Sequence, residues 1–201
     1  MMQFKRESKN KSIKFSFIIS VEGSVTEKEY FRLINKIFKN VIIKIVPKNV
    51  GKSSPKAVLN AMKRYIKKNK EDNCEYWLVQ DKDSWTEEQL VHFDEWKSED
   101  ERYNVVLSNP KFEYWLLLHY DKGNGISNSK ECSDRLKKYY PNFNKHVEAS
   151  MISKENILFA IKNAKIRYGN RLVCCCGQTE MHFLLDRICE EHEKFTQVDK
   201  V

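Results

Sequence analysis

The sequence predicts an α/β protein: a parallel-rich sheet of about four strands flanked by helices, followed by a mainly helical C-terminal part. Three observations predict it. Short β-branched and aromatic runs alternate with amphipathic helical patterns through residue 120, cap and proline signals punctuate the helices, and acids stand where strands end. Such alternation implies parallel crossovers.

Residues 13–21 (Ile-Lys-Phe-Ser-Phe-Ile-Ile-Ser-Val) form the first predicted strand, which opens into Glu22-Gly23. Thr26-x-x-Glu29 has capping-box spacing, and Tyr30, Phe31, Ile34, Ile37 and Phe38 predict a helix over 27–38. A second strand covers 41–47. Ser54-Pro55 caps and starts a helix ending near Asn69, with Val58, Met62, Tyr65 and Ile66 on its apolar face and cations on the other. The third strand, 75–80, runs into Asp81-Lys82-Asp83, and Thr86-x-x-Gln89 caps an acidic helix. After a fourth strand at 105–107, Asn109 and Pro110 read as cap and first residue of a helix apolar nearly all round, which Gly123-Asn124-Gly125 breaks. Helices are expected over 129–139, 153–167 and 179–194, with a short apolar strand at 172–176. One domain over 12–201, preceded by a basic segment at 1–11, accounts for the 201 residues and 24.0 kDa.

The formal net charge is +8, although residues 81–101 hold nine acids and two bases. The strongly positive remainder makes nucleic acid the first partner class, since cations neutralise phosphates and release counterions; solvated lysine-rich helices would give the same number. No apolar run reaches the ~18 residues of a membrane span, and the basic N-terminus lacks a signal-peptide pattern, so a cytoplasmic, membrane-free protein is expected. The six cysteines include Cys174-Cys175-Cys176 but no C-x-x-C pair, which points to reduced thiols rather than a disulfide framework or a zinc site.

In open parallel sheets function gathers beyond the C-terminal strand ends, where both Glu22 and the Asp81/Asp83 pair fall. Residues two apart in extended chain point the same way, so Asp81 and Asp83 can share one hard cation with Glu22 reaching in; the alternative is two turn acids and a surface acid. Glu113 sits in a helix too apolar to face water and needs a partner: a metal ion, directly or through water, a cationic side chain, or the helix dipole. Glu27 is either a dipole-complementing acid or, one turn from Glu22, a general base or second metal ligand. His119 and His182 can shuttle protons or sit hydrogen-bonded in the core. Gly51-Lys52-Ser53 lacks the leading glycine of a P-loop, Glu95-x-Lys97 lies on a predicted helix rather than a strand, and no G-x-S-x-G occurs, so NTPase, restriction-type and serine-hydrolase readings fail.

Glu22-Gly23-x-x-Thr26-Glu27, Asp81-x-Asp83 and Ser108-Asn109-Pro110-x-Phe112-Glu113-x-Trp115-Leu116-Leu117-Leu118-His119 together resemble the RloB and AbiLii group of Toprim-like proteins over about residues 15–190. The resemblance extends to Lys145 and to Thr179-x-x-His182. It implies a Toprim fold with Glu22, Asp81 and Asp83 as the acids that hold Mg²⁺ or Mn²⁺, and a nuclease cutting DNA or RNA, tRNA included, in bacterial antiphage or restriction-associated loci beside an ABC/AAA-type ATPase. Lys82 stands where arginine is common, and Cys176-Gly177-Gln178-Thr179 replaces the customary Asn-Pro-x-Thr. Glu113 and Glu27 would complete or orient the metal shell. Lys82, Lys145 and the helix cations Lys63, Arg64, Lys67 and Lys68 would hold the nucleic-acid backbone. The alternative is a non-catalytic subunit binding nucleic acid or the ATPase, and a homodimer stays open.

Overall fold

Six consecutive buried residues mark β1 (Ser16–Val21) as an interior strand, covered on both faces as a parallel strand must be. The computed structural model describes residues 13–47, 54–82, 85–168 and 175–198. Its chain order is β1, α1 (Thr26–Ile37), β2 (Ile42–Ile45), α2 (Pro55–Lys68), β3 (Cys74–Asp81), α3 (Glu87–Lys97), β4 (Tyr103–Asn109), α4 (Phe112–Leu117), α5 (Ser129–Tyr139), a 3₁₀ turn (Ala149–Met151), α6 (Lys154–Tyr168), β5 (Gln178–Thr179) and α7 (Met181–Val198).

The sheet order is β2-β1-β3-β4-β5, with β1 to β4 mutually parallel and β5 antiparallel to β4. Odd-numbered β1 residues Phe17, Ile19 and Val21 face Tyr30, Phe31 and Ile34 of α1 and the apolar α4; Ile18 and Leu78 face Val58 and Met62 of α2 and Trp96 of α3. The chain leaves β1 over one face to reach β2, then crosses the other face through α2 to reach β3. Connections from the two adjacent strands therefore diverge, leaving a crevice at their C-terminal ends. Edge strand β2 is half exposed, as its short length allows.

Three local expectations change. The fifth strand is Gln178–Thr179, not the apolar 172–176 run, of which 172–174 lie outside the described residues. Thr179 accordingly ends a strand instead of opening α7, with its Oγ1 bonded to Ser108 Oγ at 2.8 Å. Asn109 closes β4 and joins Pro110 through a cis peptide; α4 begins at Phe112, with Lys111 at its cap position. The Thr26/Glu29 capping box is absent: Val25 occupies the cap position, and both side chains are drawn to a distant loop described below. The basic 1–11 segment lies outside the described residues. Among the described residues no helix is long and apolar enough to cross a membrane.

Candidate functional site

The crevice between β1 and β3 brings together acids from the ends of β1 and β3 and from the starts of α1 and α4. Register pairs Val21 with Val79, so the next residue of β1, Glu22, lies opposite the end of β3; its backbone N–H bonds Val79 O at 3.2 Å. The Asp81 N–H points at Glu22 Oε2, 3.4 Å away. Asp81 Oδ1 in turn accepts the Phe112 N–H at 2.8 Å, satisfying a donor at the start of α4 that the helix itself leaves unpaired. One carboxylate thus joins β3 to α4.

Glu27 enters from the first turn of α1 and is buried, 5% exposed. Its Oε1 accepts the Gly23 N–H at 2.7 Å, and a Cβ at position 23 would lie 1.8 Å from Oε2. Glycine is therefore required for the carboxylate to fold back onto the turn. Half-buried Glu113 follows Phe112. Burial pushes the Asp81 carboxyl up to about 9, and the fields of Glu27, Glu22 and Glu113, in that order, push the same way against the Phe112 N–H. Four acids crowd one rim, and Asp81 holds a proton there at neutral pH unless a cation displaces it.

The donor set is all oxygen, which suits a hard cation. Among the described residues no three His, Cys, Asp or Glu side chains converge on one metal position, and Asp83 lies outside the described residues. Mg²⁺ ordinarily takes one or two protein carboxylates and fills its shell with water and phosphate oxygens, so Glu22 and Asp81 fit it as a pair.

The other predicted residues divide. Lys145 comes to this rim from far along the chain: Thr26 Oγ1 donates to Lys145 O at 2.8 Å, while Glu29 accepts the Val147 N–H at 2.8 Å and sits 3.0 Å from His146 Nδ1. Lys145 is held at φ +77°, a left-handed conformation a lysine seldom adopts, and its side chain is exposed. Sequence reasoning missed Glu29 and His146 because they are 117 residues apart. It also missed Lys111, whose Nζ lies 2.6 Å from Ser133 Oγ at the start of α4.

Lys82 follows Asp81, so alternation turns it to the other face, and its charge acts on the half-buried Glu180. Lys63, Arg64, Lys67 and Lys68 are exposed on α2, whose last turn lies at the opposite end of the strands from the acids; Lys63 pairs with Glu99 at 3.0 Å. His119 is a core residue, 2% exposed, with Nδ1 2.9 Å from Trp115 O, and burial lowers it to about 4. His182, also buried, faces Thr179 O at 3.2 Å, and burial lowers its pKa. Both histidines are neutral packing groups at physiological pH.

No curated protein and no solved structure is significantly similar to the chain. The family model described as RloB-like protein matches residues 17–200, from the first strand through the last helix and across every acid of the crevice. On that match the chain belongs to the RloB-like family.

Proposed function

We propose that this protein is a Mg²⁺- or Mn²⁺-dependent phosphodiesterase of Toprim type that cleaves nucleic acid. The observation that carries the reading is Asp81: a half-buried carboxyl at the β1/β3 divergence among Glu22, Glu27 and Glu113, pushed to about 9 and so poised to exchange its proton for a cation. The parallel β2-β1-β3-β4 order supports the Toprim-like assignment.

Glu22 and Asp81 would hold the ion, with Asp83 as a third donor. A bound ion would supply Lewis acidity and a more acidic water. The Phe112 N–H orients the Asp81 carboxylate, and the Gly23 N–H orients Glu27, the candidate base for the attacking water. Glu113 completes or orients the shell. Lys145, in the loop pinned to α1, and Lys111, at the start of α4, would offer cations to a phosphodiester backbone and grip it without reading sequence. Lys82 and the α2 cations would contact more distant phosphates. A role as antiphage effector of an ABC/AAA-type ATPase is part of this proposal, resting on family resemblance.

A second reading, a non-catalytic subunit that binds nucleic acid or the ATPase, is favoured by the lack of a three-ligand cluster among the described residues. Incubating DNA and total RNA with the protein, with and without Mn²⁺, separates them. Manganese-dependent cleavage that Glu22→Gln abolishes is expected; stable binding with no cleavage in any metal supports the second reading.

A further inference from the structure

Beside the pinned loop lies a hollow of about 210 Å³ lined by Tyr139, Tyr140, Asn142, Phe143, Asn144 and His146, with Pro141, Glu148 and Met151 completing it. We propose that it receives one unpaired nucleobase of a single-stranded nucleic acid whose backbone continues to the carboxylate rim. The inference rests on the phosphodiesterase reading for the direction of the strand, though not for the pocket's chemistry.

The lining selects a flat, neutral ring. Its volume falls below the roughly 300–1,000 Å³ of sites that enclose a drug-sized ligand, so it suits one ring system and not a whole nucleotide. Among the described residues no Lys or Arg lines it, and Glu148 does, which disfavours a phosphate inside. Tyr139 is the platform. Its ring stacks on Tyr120 at 5.7 Å and 28°, its hydroxyl donates to Asp121 Oδ2 at 3.0 Å, and Asp121 is gripped by Arg135 at 2.7 Å. Tyr139 nevertheless stays 42% exposed. A ring locked on one side and open on the other stacks a base with little ordering cost.

Polar groups supply the edge. The Asn142 and Asn144 side chains make no hydrogen bond among the described residues, and each amide offers a donor and an acceptor to a base edge. Phosphate contacts come from outside the pocket: Lys137 and Lys138 end α5 and Lys145 follows Asn144, all exposed. Position completes the argument. Glu29 and Thr26 bind His146 and Lys145 to the first turn of α1, the turn that carries Glu27, so a base seated here places its neighbouring phosphates along Lys145 toward the acids.

Fluorescence anisotropy in EDTA tests the pocket without cleavage, using labelled single-stranded RNA, single-stranded DNA, an abasic DNA strand of the same length, and duplex DNA. Tyr139→Ala should weaken binding of a base-bearing single strand about tenfold, the size of one lost stacked base. It should leave abasic and duplex binding within twofold, and Tyr139→Phe should restore affinity. Whichever of RNA and DNA shows the loss identifies the ligand. Lys145→Ala should instead lower the salt-dependence slope for every probe by about one phosphate, roughly 0.7 for the single strands and 0.9 for the duplex. The pocket is overturned if Tyr139→Ala, with its thermal unfolding intact, changes all probes equally or none. Duplex binding alone, or no binding to any probe in EDTA, overturns the pocket, whereas the metal reading falls only if cleavage is also absent with Mn²⁺.

Discussion

Asp81→Asn should make the metal-free protein more stable at neutral pH, although it removes the acid at the centre of the proposed site. The unfolded chain releases this proton near 3.8 while the folded one keeps it to about 9. Asp81 therefore contributes full stability below pH 3.8, and that stability is lost as pH rises towards 9, because only the folded state must retain the proton. At about 1.4 kcal/mol per unit, the interval from 3.8 to 7 amounts to about 4 kcal/mol. That is a ceiling, since the part of Asp81 that reaches solvent relaxes the burial cost. Asparagine has nearly the same shape and keeps the oxygen that accepts the Phe112 N–H, so packing should not confound the comparison. Urea unfolding in EDTA from pH 4.5 to 9 should show the variant gaining on the parent as pH rises, equivalent to several degrees in Tm at pH 7. Adding Mn²⁺ should reverse the order, because only the parent gains binding free energy. A variant no more stable than the parent at pH 8 in EDTA, or a difference independent of pH, would refute the crowding of Asp81 by Glu27, Glu22 and Glu113.

Gly23→Ala places a methyl where Glu27 Oε2 now lies, at 1.8 Å, and should shift Glu27 enough to abolish metal-dependent cleavage while the circular dichroism spectrum stays native. Burying His119, with its pKa lowered to about 4 from 6.5, makes stability present above pH 6.5 and lost as pH falls towards 4, by up to about 3 kcal/mol; His119→Gln should flatten that limb of the unfolding curve without moving the pH–rate profile. Glu29→Gln should loosen the 144–147 loop, seen as faster amide exchange at Val147 and weaker single-strand binding. Because the Val147 N–H and His146 hold Glu29 below its usual range, the parent loop should loosen as pH falls through that depressed value, whereas the variant should not respond.

The sheet was legible because its signals are local. Phe17-Ile18-Ile19 and Tyr76-Trp77-Leu78-Val79 carry strand propensity in themselves, and Ser54-Pro55 states where α2 starts; its Ser54 oxygen accepts the Ala57 N–H at 3.2 Å as the pattern requires. The acids were legible for a related reason: Glu22 and Asp81 follow immediately on strands whose ends could be placed. The fifth strand was not, because Gln178 and Thr179 are two polar residues whose pairing exists only through β4.

The capping-box error shows why the remainder of the site was hidden. Thr26 and Glu29 have the spacing of a local motif, and a lone helix would use them on its own N-terminal donors. In the fold another loop competes for the same oxygens. Lys145 O and the Val147 N–H need partners, and satisfying them at the half-buried edge of α1 outweighs capping donors that solvent can reach. Helix α1 loses a cap; the rim gains a fixed loop, and with it Lys145 in a conformation that glycine would adopt more readily. Lysine at φ +77° puts backbone strain into the loop whose carbonyl is pinned to the turn of α1 that carries Glu27, and leaves its own side chain exposed there. Under the proposed nuclease reading, that strain holds an exposed cation where a polyanion would approach a negatively charged rim.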